Sequence, residues 1–256
     1  MSLLPLNLYW PQARLYPALI AIAPLIALVL TMMPWNKLHP SQFAATVGIG
    51  VLVFALSEFS RRRGKRLEKD AVDIGPRHTS SMLWHKDTRL HPDRKDPILA
   101  FAAGKINQKR PTPGEESADA ARADAFYERC AAFLREAMRA PKFQLLFNEN
   151  VSYGYQRNLF ALKPIGLVAN GIAILVAGAI AYGQYRYQAD FDPTPFLFVL
   201  VVGLVHAFAL LTIVNRKAVV AASDSYARQF LSSAELLISG HPQEKEKKAS
   251  SRRKTN

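Results

Sequence analysis

Two polar side chains, Asn170 and His206, lie inside apolar stretches that are long enough to cross a membrane. Asn170 is on the third stretch and His206 on the fourth. Because neighbouring spans run in opposite directions at about 1.5 Å per residue, the two side chains fall at similar depth. Hydrocarbon makes polar groups costly, so we expect either an interhelical hydrogen bond or a polar lining for water or ions. Both alternatives stay open.

Glu58 is a further pore or gate candidate, at the end of the second apolar stretch. It adjoins the basic run RRRGKRLEK at residues 61–69. An ion pair at the membrane interface is the simpler explanation for a carboxylate in that place.

Basic and aromatic residues form a second candidate site. Arginine with aromatic side chains suits the binding of phosphates and the stacking of bases, but the same mixture suits a helix in the headgroup layer. Both interpretations stay open. The ligand-binding candidates are Arg77, Lys105, Lys109, Arg110, Tyr153, Tyr155 and Arg157.

No catalytic constellation is evident. His78, His85 and His91 lack the helical spacings of zinc ligands, so we expect no metal and no cofactor. The chain has no nucleophile elbow, phosphate-binding loop or dinucleotide fingerprint. Its one cysteine, Cys130, excludes an intramolecular disulfide and is expected to be a structural thiol. We therefore expect a protein that is not an enzyme.

The apolar stretches predict an all-α membrane protein with four transmembrane helices in two hairpins and a small helical cytoplasmic region. Pro24, inside the first span, is expected to kink it. The predicted segments are a first hairpin (1–60), a cytoplasmic insert (61–160), a second hairpin (161–216), a cytoplasmic amphipathic helix (217–240) and a disordered basic tail (241–256).

The charge distribution predicts the orientation. The net charge is +13, and the run at 61–69 abuts the second span. Basic residues next to spans stay on the cytoplasmic side, which predicts a multi-pass inner-membrane protein with both termini in the cytoplasm. The positive charge also predicts contacts with anionic membrane lipids.

Within the insert, the spacing of apolar residues predicts an amphipathic helix over 117–140 with Ser117 as N-cap. Ile98–Ala103 predicts one or two helical turns. In the third span, Ala169, Ala173, Ala177 and Ala181 form a stripe of small residues, and Ala44 and Gly48 pair similarly in the second. Such residues permit close packing, within one chain or between copies.

The segments LLFNENVSYGYQRNLFALKPIG and HTSSMLWHKDTRLHPD resemble a family of bacterial four-span membrane proteins. The plan of the whole chain resembles membrane effectors of anti-phage defence, including the effector of the Hailong system. This resemblance implies a homo-oligomeric ion channel that depolarises the inner membrane. It also implies a nucleotide or single-stranded DNA signal made by a partner nucleotidyltransferase.

The leading hypothesis is thus an oligomeric channel, with a tetramer expected, gated by a nucleotide or oligonucleotide in antiviral defence. Four spans are too few to enclose a wide pore, so several copies would surround an axis. In this hypothesis Arg157 and its aromatic neighbours sense the ligand, Lys163 and Pro164 transmit the change, and Asn170 responds. The alternative is a membrane-anchored scaffold that recruits a cytoplasmic partner through the helices at 117–140 and 217–239, without ion conduction.

Overall fold

A computed structural model describes residues 9–33, 40–69, 71, 73–187 and 192–253, with side chains to residue 240 except that of Ser41. Most of the described residues are helical, and there is no strand among them. A π-helix at Pro11–Leu15 and a 3₁₀ turn at Pro141–Phe143 accompany ten α-helices within this described part. The α-helices are α1 (Tyr16–Ala21), α2 (Ala23–Thr31), α3 (Pro40–Lys69), α4 (Gly75–Ser81), α5 (Pro92–Lys105), α6 (Pro113–Ala118), α7 (Ala120–Ala137), α8 (Gln144–Tyr187), α9 (Thr194–Thr212) and α10 (Arg216–Arg253).

The chain divides into two compact units. Unit 1 comprises Met1–Leu67 and Val151–Val219, and unit 2 comprises Glu68–Asn150 and Val220–Asn256. The cytoplasmic insert was predicted at 61–160. The first segment of unit 2, Glu68–Asn150, begins later and ends earlier than that prediction. The difference arises because Gly64 and Asn158, which the sequence assigned to the insert, pack against each other in unit 1.

Within the part of the chain that the structure describes, three helical segments are long and apolar enough to cross a membrane: Gln42–Lys69, Pro141–Tyr187 and Thr194–Thr212. A bent pair, Pro11–Ala21 with Ala23–Thr31, would be a fourth if it forms one span. These segments are compatible with a multi-pass membrane protein. The two-hairpin arrangement and the orientation of the termini stay predictions.

The first apolar segment is broken, as Pro24 led us to expect. Its two halves meet at Ile22 with a bend of 58°. Pro24 has no backbone N–H, so the carbonyl of Ile20 loses the donor that a continuous helix would supply. The chain leaves helical geometry at Ile22 and resumes it at Ala23.

The alanine stripe of α8 packs inside unit 1. Ala173 and Ala177 are fully buried in a cluster with Leu28 of α2 and Val199 of α9. Ala169 belongs to a neighbouring cluster around α1. Small side chains allow this close approach of helices, and at this position they serve packing within one chain.

In unit 2, α7 buries the residues that its spacing predicted, including Phe126, Cys130 and Leu134. The predicted N-cap Ser117 is wrong. Thr112 caps α6, whose capping box the sequence analysis missed, and Asp119 caps α7 by accepting from the Arg122 N–H at 2.9 Å. Ser117 instead donates to the Pro113 carbonyl inside α6. The pattern T-P-G-E at 112–115 supplies the two reciprocal hydrogen bonds of such a box.

Two further segments differ from expectation. α5 is a helix of 14 residues, although only Ile98–Ala103 suggested one. Pro97 falls in its interior, and His91 caps its start by accepting from the Asp93 N–H. The backbone of α10 continues past Gly240 to Arg253, through residues predicted to be disordered that include many good helix formers. Residues 254–256 lie outside the described residues.

Candidate functional site

Unit 2 contains a cavity of about 550 Å³ between the segment that follows α5 and the first turns of α7. Four basic side chains line it, together with an apolar floor and two carboxylates. The lining residues used below are Lys109, Arg110, Glu115, Asp119, Arg122, Phe126 and Arg129.

The two carboxylates serve as helix caps. Glu115 accepts from the Thr112 N–H at 2.7 Å and completes the capping box of α6. Hydrogen bonds from the Thr112 backbone and side chain lower the pKa of Glu115. Asp119 accepts from the N–H of Arg122 at the start of α7. Both groups are therefore held by the backbone on one side of the cavity.

The basic groups are less engaged. Lys109, Arg122 and Arg129 are exposed, and among the described residues they make no ion pair. Arg110 is half-buried, and its terminal nitrogen donates to Asp96 at 2.6 Å. Its Nε is buried without a hydrogen-bond partner in the described part of the chain. Three exposed cations and one half-buried guanidinium thus line the same cavity.

Arg110 lies beside a buried polar cluster formed by Tyr127, Glu116 and His85. The Arg110 guanidinium lies beside the hydroxyl of Tyr127, which is fully buried and donates to the Glu116 carboxylate. Glu116 also contacts His85 Nδ1 at 2.7 Å. Burial alone would raise the pKa of Glu116, but the hydrogen bonds from Tyr127 and His85 bring it below its usual range. Burial and the bond to Glu116 raise the pKa of Tyr127.

This arrangement suits an anion. Guanidinium groups bind phosphate or carboxylate through paired N–H donors, and an ammonium group adds a point charge. The floor contains Phe126, which is 6% exposed, so it is apolar. The cavity is large enough for a nucleotide-sized ligand.

Two of the predicted ligand-binding residues, Lys109 and Arg110, line this cavity, and two others do not. Arg77 pairs with Asp124 at 3.3 Å, and Lys105 lies over the Phe101 ring at 5.7 Å. Arg122 and Arg129 were not among the residues that the sequence singled out. Their separation of seven residues on α7, with Phe126 between them, places all three along one helix face.

The other three ligand-binding candidates lie in unit 1. Arg157 is 7% exposed, has its guanidinium over Tyr153 at 5.5 Å, and donates to Asn158. Tyr153 is buried, and Tyr155 packs against a cluster that contains Leu210. They belong to the packing of unit 1, not to the cavity.

The pore or gate candidates also have defined positions. Asn170 Nδ2 donates to the Gly203 carbonyl at 2.8 Å, which is the interhelical hydrogen bond that the sequence suggested between the third and fourth spans. His206 Nε2 instead contacts the Ile20 carbonyl, at 2.8 Å. Glu58 pairs with Arg61 at 3.0 Å and with Arg14 at 3.4 Å.

His78, His85 and His91 each have a different partner. His85 pairs with Glu116, His78 is 3.5 Å from Asp224, and His91 caps α5. No cluster of three or more His, Cys, Asp or Glu suited to a metal occurs among the described residues. Cys130 is fully buried, and burial raises its pKa to about 11, as befits a structural thiol.

No protein-family model, curated protein or solved structure matches this chain. We therefore argue its function from the site itself.

Proposed function

We propose that this chain is an oligomeric effector of the bacterial inner membrane, in which an anionic signal binds the cavity of unit 2 and controls ion conduction through the apolar helices. The signal is a nucleotide or oligonucleotide, supplied by a partner nucleotidyltransferase during anti-phage defence. Conduction depolarises the membrane. Both termini and unit 2 are cytoplasmic in this proposal.

The observation that carries the proposal is the cavity with four basic side chains. Lys109 and Arg110 are among the ligand-binding candidates that the sequence indicates, and α7 adds Arg122 and Arg129. The two acids beside them are fixed as helix caps and keep their charge, so the lining holds more positive than negative side chains. A cytoplasmic cationic cavity in a chain with apolar spanning helices is the arrangement that a membrane receptor for an anionic signal needs.

Ligand binding is tested with purified full-length protein in detergent and a fluorescent single-stranded oligodeoxynucleotide, with ATP and inorganic phosphate as competitors. We expect saturable binding that weakens as salt rises, because each neutralised phosphate releases counterions. The double variant Arg122→Gln/Arg129→Gln should weaken binding by about tenfold or more. Arg139→Gln is the matched control, since Arg139 is 76% exposed at the other end of α7. Equal loss in both variants would contradict a site in the cavity.

Conduction is tested separately by ion flux from liposomes that contain the protein, with and without the same oligonucleotide. A flux that changes with the ligand in the wild type but not in Arg122→Gln/Arg129→Gln supports the proposal. Binding without any change in flux would support the anion site in the cavity and contradict the proposed ion conduction. A monomer in detergent, measured by light scattering, would also count against conduction.

The scaffold alternative gains no support from the fold. It needs apolar faces on the helices at 117–140 and 217–239 that are available to a partner. Within unit 2, α7 buries its apolar face, and Phe230, Leu231 and Ala234 of α10 are 2% exposed or less. A stable complex with a cytoplasmic protein that forms without ion flux would revive it.

A further inference from the structure

A carbonyl group in the broken first segment receives its hydrogen bond from a distant helix. Pro24 cannot donate to the Ile20 carbonyl, and His206 Nε2 of α9 lies 2.8 Å from that oxygen. The Ile22 N–H at the break also points at it. Because a carbonyl oxygen only accepts, Nε2 must carry the hydrogen of the neutral ring. The other ring nitrogen, Nδ1, is therefore an acceptor.

That acceptor and one other are buried without a partner. His206 Nδ1 and Asn170 Oδ1 have no hydrogen bond among the described residues, although both atoms are shielded from solvent. The Asn170 side chain as a whole is also buried, with 1% of the residue exposed. A buried acceptor that lacks a donor costs about 1–3 kcal/mol, so two such acceptors in one apolar region require an explanation.

The two side chains that carry these acceptors meet α9 one helical turn apart. Asn170 Nδ2 donates to the Gly203 carbonyl, and a Cβ placed on Gly203 would lie 3.2 Å from Asn170 Oδ1. His206 follows Gly203 by three residues, which puts the two positions one above the other on a helix face, about 5–6 Å apart at their Cβ atoms. The glycine leaves room for the amide, and the histidine ring starts one turn further along.

The chemistry of this pair selects its ligand. Two acceptors and no donor call for a species that donates twice. The hydrogen bonds and ion pairs of the described residues bring no carboxylate to either side chain, so a bound cation would place an unbalanced charge among apolar helices. Water supplies two donors without charge, and buried waters typically satisfy polar groups of this kind.

We propose that Asn170 and His206 form a binding site for one water molecule, which donates one hydrogen to His206 Nδ1 and the other to Asn170 Oδ1. The water links Asn170 of α8 to His206 of α9. His206 in turn donates to the Ile20 carbonyl of the broken first segment. The site is independent of the cavity in unit 2 and of ion conduction. It fixes the Nε2–H form of the ring, because Nδ1 then receives a hydrogen bond.

A double-mutant cycle tests the shared ligand. Asn170→Leu, His206→Leu and the double variant are compared by thermal unfolding in detergent. Each single change displaces the water and leaves the other acceptor without a donor, so the two losses in Tm should not add. Each leucine also removes its own bond to a backbone carbonyl, of Gly203 or of Ile20, so the double variant should lose more than either single variant but less than their sum. His206→Gln retains a donor and an acceptor and should behave more nearly like the wild type. Additive losses would overturn the shared site.

Solid-state NMR of histidine-labelled wild type in lipid bilayers gives a readout that does not depend on the variants folding. His206→Gln identifies the His206 signal by its disappearance. We expect the Nε2–H tautomer and magnetisation transfer from water to Nδ1, and this transfer should be lost in Asn170→Leu. The Nδ1–H tautomer, a doubly protonated ring at neutral pH, or no transfer from water in the wild type would each overturn the proposal.

Discussion

In unit 1, several polar side chains among the apolar helices donate to backbone carbonyl oxygens, whereas in unit 2 charged side chains pair mainly with one another. Glu58 of unit 1, which pairs with Arg14 and Arg61, departs from this pattern. Asn158 donates to Ala13, Asn170 to Gly203 and His206 to Ile20. Lys163 similarly donates to the carbonyl of Val214, just beyond the C-terminal end of α9.

In unit 2, Glu116 binds His85 and Tyr127, and Arg94 forms two hydrogen bonds with Glu235. Lys95 is an exception there, since it donates to two carbonyls. Neutral partners suit an apolar surrounding, where a charge cannot be solvated, and charged partners suit a unit in water. The stability of unit 2 should therefore respond to pH more strongly than that of unit 1.

The largest expected effect is in unit 1. Asn158 is fully buried, donates to the Ala13 carbonyl at 2.7 Å and accepts from Arg157. Asn158→Leu removes both bonds and should lower the free energy of opening of unit 1 by about 3 kcal/mol, equally at pH 5.5 and pH 8. Hydrogen exchange followed by mass spectrometry measures this unit by unit. Asn148→Leu, an exposed change in unit 2, is the control and should leave the opening of unit 1 unaltered. A loss that differs between pH 5.5 and pH 8 would contradict the view that unit 1 depends on neutral hydrogen-bond partners.

The next effect is in unit 2. Glu116→Gln keeps the shape of the side chain but removes the charge that binds His85 and Tyr127. We expect a loss of about 2 kcal/mol in the opening free energy of unit 2 at pH 7. Since the pKa of Glu116 is lowered in the folded protein, the wild-type advantage should vanish as pH falls through that lowered value. Glu136→Gln, on an exposed side chain of α7, serves as the control.

A smaller, pH-linked effect is expected at His78. Burial and the nearby Arg89 lower its pKa below 6.5, although Asp224 opposes this shift and Asp73 adds a weaker opposing effect. Between the lowered pKa of His78 in the folded protein and its ordinary value of 6.5, the unfolded chain binds more protons than the folded one. The free energy of unfolding is therefore greatest above pH 6.5 and decreases as the pH falls below it. Comparing unit 2 in wild type and His78→Gln from pH 8 to pH 5 should show the slope only in the wild type. Equal slopes would mean that another group controls it.

The smallest effect on stability should come from the cavity. Arg122→Gln/Arg129→Gln changes exposed side chains without ion pairs among the described residues, so unit 2 should lose no more than about 0.5 kcal/mol. Anion binding should fall in the same variant. A large loss of stability would mean that these arginines support the fold instead of a ligand.

Much of the helical plan was predictable, because apolar length and helical spacing are local signals. The kink at Pro24 and the buried face of α7 followed from them. The capping box at Thr112 was also readable from the sequence but was missed. The length of α5 was predicted too short, because Pro97 and the polar residues before it give no helical spacing of apolar residues ahead of Ile98.

The pairings were not predictable, since they depend on how distant segments meet. Asn170 and His206 lie at similar depth, yet His206 contacts Ile20 and not the asparagine. Arg122 and Arg129 were not singled out from the sequence, because nothing local indicates that the segment with Lys109 and Arg110 lines the same cavity. Charge and spacing identify candidate ligands, but only the tertiary contacts show which of them face one cavity.

The hydrogen bond between His206 and Ile20 has a consequence for synthesis. The two residues are 186 positions apart, and the acceptor leaves the ribosome first. In a membrane, the Ile20 carbonyl of the broken first segment would lack the His206 donor until the last apolar helix has been inserted. Truncated chains that end before His206 should therefore hold this segment loosely, and complete chains should protect it from proteases and from quality control.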